Sequence, residues 1–139
     1  MSIFIDTNVP MYAAGRPHPL REHARAALGA IAAGKLAART DSEVQQEILY
    51  RYDAVHEMQK GMRIFDAYCD LMRGWILPVT EADVRTARTL LAAHPALSPR
   101  DTIHLAVMQT AGISRILTAD RGYQSVHGVQ AIALADWRL

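Results

Sequence analysis

Apolar and polar positions along the chain form blocks that predict short strands separated by helices. The first run, Ile3-Phe4-Ile5, has the unbroken apolar pattern of a strand buried on both faces. Because Pro78 cannot donate to a strand ladder, the run that contains it is expected at an edge of the sheet or at the end of its strand. Five apolar runs predict strands: 3–5, 35–39, 75–79, 113–118 and 130–134.

The segments between these runs carry apolar residues at helical spacing. Thr7 and Asn8 are candidate caps of a first helix, with Pro10 in its first turn. Gly61 is expected to divide two central helices into a hairpin, whose inward residues include Val55 and Met62. Three further helix starts match capping boxes: 40–43, 80–83 and 98–101.

The predicted element order is β-α-β-α-α-β-α-α-β-β. Strands that alternate with helices predict an α/β fold, with a mostly parallel central sheet of about five strands flanked by helices. The chain is short enough for one domain, assigned here to residues 1–139, and long enough to bury a sizeable core.

Composition narrows the classes of function without choosing among them. Half of the residues are hydrophobic and the net charge is only +1, so no global charge indicates a polyanionic partner. A single cysteine, Cys69, excludes an internal disulfide and a multi-cysteine zinc site. No apolar run approaches the ~18 to 20 residues of a membrane span, and the N-terminus lacks the features of a signal peptide. A cytoplasmic protein without a membrane partner is expected.

Two carboxylates follow apolar runs: Asp6 comes directly after the first, and Asp120 comes two residues after the fourth. Carboxyl ends of parallel strands share one edge of the sheet, where open α/β sheets bind their ligands. Like charges brought together there need a cation or a proton. The pair therefore suggests a metal site, although Asp after a strand is also a common turn residue.

Two more acids begin or border helices at that edge. Asp101 lies three positions after Ser98, where it is equally well explained as a helix cap. Glu47 borders an apolar stripe, and Arg51 at i+4 could pair with it. Four oxygen ligands without a Cys or His cluster would suit Mg²⁺ or Mn²⁺ and phosphodiester hydrolysis by metal-activated water. Three neighbouring side chains could orient these carboxylates: Thr7, Asn8 and Thr118.

Several basic residues could contact the phosphates of a polyanionic substrate, or could equally pair with neighbouring acids. His104, one turn beyond Asp101, is more readily explained as a hydrogen-bonded core residue than as a catalytic one. The candidates for substrate contacts are Arg16, Arg21, Arg100 and Arg121.

Four segments together resemble the PIN-domain ribonucleases, particularly VapC-like toxins of type II toxin–antitoxin systems. The resemblance implies a PIN fold and a Mg²⁺- or Mn²⁺-dependent endoribonuclease that leaves a 5′-phosphate and a 3′-hydroxyl. It also implies an antitoxin partner that contacts the helical hairpin, and a homodimer. The segments that carry it are 3–8, 44–50, 98–106 and 116–123.

Residue by residue, the resemblance implies a catalytic and metal-binding quartet of Asp6, Glu47, Asp101 and Asp120. The second segment departs from the pattern of many relatives, because Arg51 follows Tyr50 where they have Gly. That leaves Glu43 as an alternative to Glu47. Glu47 is preferred because a capping box from Thr40 already explains Glu43.

Two other functions compete with this interpretation. A haloacid-dehalogenase-like phosphatase also has an Asp after its first strand, but its mechanism needs a second Asp two residues later, where this chain has Asn8. A PIN-like module that binds RNA or protein without cutting is the alternative that is not an enzyme. The retained acidic quartet argues against it.

Overall fold

A five-stranded sheet lies at the centre of the computed structural model, which describes residues 1–138. The strand order is β3-β2-β1-β4-β5, and all four strand pairs are parallel. The α/β fold with a parallel sheet, predicted from the sequence, is therefore confirmed. The strands are β1 (Ile3–Ile5), β2 (Ala38–Asp41), β3 (Ile76–Leu77), β4 (Arg115–Thr118) and β5 (Gln130–Ala133).

Helices flank the sheet, and two of them, rather than one continuous helix, connect β1 to β2. Among residues 1–138, no helix is both long and apolar enough to cross a membrane. The helices are α1 (Asn8–Ala14), α2 (Arg21–Ala32), α3 (Ser42–Ala54), α4 (Met58–Leu71), α5 (Glu81–Ala93) and α6 (Pro99–Ala111), with 3₁₀ helices at Arg121–Ser125 and Leu134–Asp136.

The central strand β1 organises both the core and the crevice above it. All three of its side chains are fully buried, and each such burial contributes about 1.5–3 kcal/mol. β2 and β3 follow one another on one side of β1, and β4 then pairs with the other side of β1. Ile5 of β1 pairs with Leu117 of β4 at this reversal, so both strands end together. A reversal of this kind opens a ligand crevice at the carboxyl ends of the strands.

The second strand and the helix that follows it differ from the sequence prediction. β2 begins at Ala38 and runs to Asp41, so the capping box predicted from Thr40 is wrong. Thr40 belongs to the sheet: its N–H donates to the Trp75 carbonyl (3.1 Å) and its hydroxyl accepts from Tyr68 Oη (3.0 Å). Asp41 caps α3 instead, because its Oδ1 accepts from the Val44 N–H at 2.9 Å.

The helical hairpin is present, but its break is not at Gly61. α3 ends at Ala54 and α4 begins at Met58, and His56 between them adopts a positive φ of 57°. Consequently two residues expected to face inward, Val55 and Met62, are 58% and 54% exposed. Gly61 lies inside α4, where the close approach of α3 leaves no space for a side chain.

Substitution of Gly61 by Ala is expected to destabilise the protein by about 1–3 kcal/mol. A Cβ at this position would lie 2.5 Å from Tyr52 Cβ, so the two helices would have to move apart. Gly29→Ala in α2 is the matched control, because a Cβ there meets no atom within 4 Å and better helix propensity should add up to ~1 kcal/mol. Urea unfolding of both variants measures the difference, and equal stabilities would show that the α3–α4 contact is not tight.

Candidate active site at the carboxyl ends of the strands

Asp6 lies directly beyond β1 and is only 4% exposed. Its Oδ1 accepts from the Thr7 N–H at 2.8 Å, and its Oδ2 accepts from Thr118 Oγ1 at 2.7 Å. Burial raises the pKa of Asp6 to about 6, an effect that His104 and the Thr118 hydrogen bond oppose and that Asp101 reinforces. The carboxylate is thus held in a fixed orientation where its negative charge is unfavourable.

A small hydrogen-bond network joins Asp6 to the end of β4. Thr118 Oγ1 accepts from the Asp120 N–H (2.9 Å) while it donates its proton to Asp6. Asn8 spans the same gap: its amide donates to Asp6 Oδ2 (3.3 Å) and Thr118 Oγ1 (3.2 Å), and its Oδ1 accepts from the Ala119 N–H (3.1 Å). Neither Thr7 nor Asn8 makes the side-chain cap of α1 expected from sequence. Their side chains are used for the carboxylates instead.

Asp101 forms the cap predicted for it and also faces the crevice. Its Oδ2 accepts from the Ser98 N–H at 3.0 Å, in a capping box at the start of α6. Its Oδ1 accepts from Tyr123 Oη at 3.0 Å. Burial keeps the pKa of Tyr123 far above its ordinary value, so the phenol stays neutral and donates this hydrogen bond. The cap and the crevice-facing interpretation of Asp101 are therefore compatible.

Glu47 is 6% exposed and lies behind Asp6 and Thr7. Its Oε1 accepts from Thr7 Oγ1 at 2.8 Å, and Arg51 donates to its Oε2 through Nε (3.1 Å) and Nη2 (3.0 Å). Burial would raise the pKa of Glu47, but the neighbouring His104, Thr7 and Arg51 outweigh it and lower the pKa to about 2. Glu47 is therefore an ionised carboxylate at neutral pH.

His104 and Asp41 form a buried pair that sequence reasoning did not identify. His104 Nδ1 lies 2.8 Å from Asp41 Oδ2, and both side chains are fully buried. Its Nε2 has no hydrogen-bond partner among the described residues and lies 3.8 Å from Asp6 Oδ1 and 4.0 Å from Glu47 Oε1. Burial alone would lower the pKa of His104, but Asp41, Glu47 and Asp6 raise it well above its ordinary value. His104 therefore binds a proton more readily than a free imidazole, and it lies behind the acidic crevice.

The three aspartates line one crevice of about 380 Å³, which Arg16 and Arg51 also line. Glu47 adjoins it through Thr7 and Arg51. The other predicted basic residues lie elsewhere. Arg21 is 3.7 Å from Glu22, Arg100 stacks over Tyr50 at 5.1 Å from the ring centroid, and Arg121 lines a neighbouring cavity.

The donor set of the crevice is suited to a hard divalent cation, since it offers carboxylate oxygens and no thiolate. Within residues 1–138, no group of three or more His, Cys, Asp or Glu side chains is already arranged to hold a metal ion. Mg²⁺ does not require one, because it keeps several waters and usually takes one or two carboxylates together with substrate phosphates. The burial of Asp6 beside Asp101 and Asp120 favours a cation, whose charge would offset the cost of the buried carboxylate.

We expect Asp6→Asn to raise stability at pH 8 by about 1–3 kcal/mol in buffer that contains EDTA. The folded pKa of about 6 exceeds the ordinary 3.8, so the folded state binds the proton more readily and stability falls as pH rises between these values. The difference between these pKa values corresponds to about 3 kcal/mol, and the neutral amide recovers part of it, because its NH2 group cannot accept the hydrogen bonds that one carboxylate oxygen accepts. Urea unfolding at pH 8 and pH 4 checks this prediction, and a loss of stability at pH 8 would contradict it.

Comparisons with known proteins agree with this geometry. Residues 3–129 match the PIN domain family. Ribonuclease VapC13 of Mycobacterium tuberculosis is 37% identical over 131 residues, covering 94% of this chain and 99% of the relative. VapBC2 of Rickettsia felis, bound to a DNA fragment from its promoter, superposes with a TM-score of 0.74 at 14% identity, covering 96% of this chain and 98% of the neighbour. A toxin–antitoxin complex from Klebsiella pneumoniae superposes with a TM-score of 0.64 at 18% identity, covering 91% of this chain and 94% of the neighbour.

The match to the PIN domain spans nearly the whole chain, and the VapC relative covers it at more than 30% identity. The chain belongs to the PIN domain family and, within it, to the VapC group.

Proposed function

We propose that the protein is a divalent-metal-dependent endoribonuclease and the toxin of a toxin–antitoxin pair, acting in the cytoplasm as a single PIN domain over residues 1–139. The observation that carries the proposal is the meeting of Asp6, Asp101 and Asp120, from three separate elements, in one crevice at the topological reversal of the sheet. A relative that is a ribonuclease supports the choice of RNA as substrate.

In this proposal Asp6, Asp101 and Asp120 hold a Mg²⁺ or Mn²⁺ ion, with Glu47 adjoining them. When bound, such an ion activates the attacking water and neutralises charge on the phosphate. Thr118 and the Thr7 N–H fix the plane of the Asp6 carboxylate by binding one oxygen each. Thr7 Oγ1 and Arg51 restrain Glu47 in the same way.

The basic residues around the crevice have a separate role in the proposal. Arg16 lines the crevice and is exposed, so it is placed to contact a phosphate of the RNA backbone. Arg100 precedes Asp101 in the chain but stacks over Tyr50, and Arg121 follows Asp120 but lines the neighbouring cavity, so neither lines the crevice itself. Arg21 is the weakest candidate because it contacts Glu22 instead.

RNA cleavage by the purified chain tests the proposal directly. Total bacterial RNA should be cut in Mg²⁺ or Mn²⁺, cutting should stop on addition of EDTA, and the new ends should carry a 5′-phosphate and a 3′-hydroxyl. Binding of RNA without cleavage in either metal would instead identify a non-cutting PIN-like module. A phosphoryl group trapped on Asp6 would identify a phosphatase of the haloacid-dehalogenase kind, although Asn8 here donates to Asp6 rather than supplying a second acid.

The second acid of the site is assigned to Glu47, not to Glu43. Glu47→Gln should lower the cleavage rate at least ~10-fold, because Thr7 and Arg51 would lose a charged acceptor beside Asp6. Glu43→Gln is the matched control and should stay within about 2-fold, since Glu43 lies one turn away, is only half-buried and has no hydrogen bond to Thr7 or Arg51. Rates measured on one RNA decide the assignment, and the reverse order of effects would transfer it to Glu43.

The antitoxin is proposed to contact the α3–α4 hairpin. The α4 side of this hairpin forms an apolar groove of about 190 Å³ with α1 and α2, lined in part by Ile64 and Leu71. Co-expression with a small gene immediately upstream, where one exists, and co-purification with wild type and with Ile64→Glu test this contact. We also propose a homodimer, on the family resemblance, and light scattering measures it.

A further inference from the structure

A second cavity, of about 420 Å³, lies beyond the carboxyl ends of β4 and β5. Asp120 lines both this cavity and the acidic crevice, so the two spaces meet at that carboxylate. We call this second space the β4–β5 cavity. Its volume is within the range of cavities that bind small ligands. Of its lining residues, only Thr118, Asp120 and Arg121 have a role in the function proposed above.

The sequence explains why this space is open. β5 runs parallel to β4, and Thr118 pairs with Ala133 at the end of the ladder. Ala131 and Ala133 lie two residues apart, so their small side chains point to the same face, leave space above it and give the cavity an apolar floor. The two 3₁₀ helices and Leu20, which precedes α2, form the walls.

Polar groups of three kinds surround this apolar floor. Arg121 supplies a cation, Gln124 an amide that both donates and accepts, and Asp136 a carboxylate that only accepts. All three side chains are exposed and therefore accessible to a ligand. An amide and a carboxylate can hydrogen-bond the edge of an RNA base, a guanidinium can stack on the base or bind a phosphate, and the apolar floor can contact the ring.

We propose that the β4–β5 cavity binds the base and ribose of the nucleotide adjacent to the phosphate that is cut. This inference rests on the proposed ribonuclease function, which places a phosphate in the acidic crevice next to Asp120. If the RNA chain passes from the crevice across Asp120, its next nucleotide lies on the alanine floor. The edge of that nucleotide's base then faces Gln124 and Asp136. The carboxylate favours bases that carry an exocyclic amine, so uracil is the least favoured base.

Nucleotide binding measured by NMR tests the cavity without requiring cleavage. Adenosine, cytidine, guanosine and uridine 5′-monophosphates are titrated into the wild-type protein, with ribose 5-phosphate as the probe that lacks a base. Saturable shifts of the Ala131 and Ala133 methyl groups and of the Gln124 side-chain amide are expected, with uridine monophosphate binding at least ~3-fold more weakly than the other three. Shifts that are absent, or that ribose 5-phosphate reproduces in full, would overturn the proposal.

Variants separate this site from the rest of the surface. Ala133→Phe fills the cavity and Gln124→Ala removes the amide, and each should weaken nucleotide binding at least ~5-fold. Gln124→Ala keeps the test decisive if Ala133→Phe does not fold, because Gln124 is exposed. Gln130→Ala is the matched control, since this exposed glutamine lies at the opposite end of β5 and should bind like wild type. Equal loss in the control, or no loss in Gln124→Ala, would overturn the assignment.

Asp6→Asn distinguishes this inference from the proposed function. If the protein cuts no RNA in any metal but still binds nucleotides in the cavity, the ribonuclease proposal fails and the nucleotide site stands. If it cuts RNA in an Asp6-dependent manner but shows no nucleotide shifts, the cavity assignment fails alone. Sequencing of cleavage ends adds a second readout: Gln124→Ala should relax the base preference at one position next to the cut, and an unchanged preference would count against the site.

Discussion

Asp6→Asn should lower the rate of RNA cleavage by at least ~100-fold, the largest effect expected of any single substitution in this chain. Asp6 follows the central strand: Thr118 links it to Asp120 by hydrogen bonds, and the charge of Asp101 acts on it. The amide keeps the shape of the carboxylate and one of its two acceptor oxygens, but it removes the charge that would hold a cation. We therefore expect lost activity in a protein that is folded and more stable than wild type at pH 8.

Cleavage of one RNA by wild type, Asp6→Asn and Asp66→Asn measures this effect. Asp66 is the matched control because its side chain is exposed on α4, away from the crevice, and the same substitution there should leave the rate unchanged. A rate for Asp6→Asn within 10-fold of wild type would mean that the reaction does not depend on this carboxylate. The combination of lower activity and higher stability also excludes unfolding as the cause of the loss.

His104→Leu should destabilise the protein by about 3–5 kcal/mol at pH 6. The substitution removes the buried cation and leaves Asp41, fully buried, without the partner that lies 2.8 Å away. Asp6 and Glu47 lose the same positive charge, since His104 Nε2 lies 3.8 Å from Asp6 Oδ1 and 4.0 Å from Glu47 Oε1. Because the folded pKa of His104 is raised, its contribution is complete below the ordinary value of 6.5 and is lost as pH rises through the folded value. The difference between variant and wild type should therefore shrink at high pH.

A double-mutant cycle attributes this loss to the Asp41–His104 pair. Asp41→Asn combined with His104→Leu should be more stable than the sum of the single losses predicts, by at least about 1 kcal/mol, because the second substitution removes the unpaired charge. Met108→Leu on the same helix is the control for packing, since Met108 is also buried and this swap conserves volume. Additive losses would show that the pair does not act as a unit.

Local patterns in the sequence predict the fold and the aspartates of the site because each of these features is set by neighbours in the chain. The apolar run of β1 leads directly into Asp6, and the capping box of α6 places Asp101 in the first turn. Asp120 follows β4 in the same way. The alternation of strands and helices then fixes a parallel sheet, and a parallel sheet brings the ends of β1 and β4 together.

Features that depend on distant contacts were not predicted. His104 and Asp41 are 63 residues apart, and each alone has an ordinary local explanation, one as a core histidine and the other as a helix cap. The local pattern predicts a helix break at Gly61. The glycine is needed for another reason, because Tyr52 on the neighbouring helix leaves no space for a side chain there. The shift of β2 towards Asp41 likewise follows from the pairing of Thr40 with Trp75 and Tyr68.

Paramagnetic NMR with Mn²⁺ determines whether the aspartates that follow β1 and β4 and the one in α6 hold one divalent ion. Added Mn²⁺ should broaden first the amide signals next to the three aspartates, those of Thr7, Thr102 and Gly122, and Asp6→Asn should weaken this broadening at least ~10-fold. Broadening confined to exposed acids such as Asp70 and Glu81, or unchanged in Asp6→Asn, would contradict the claim that the crevice is a metal site.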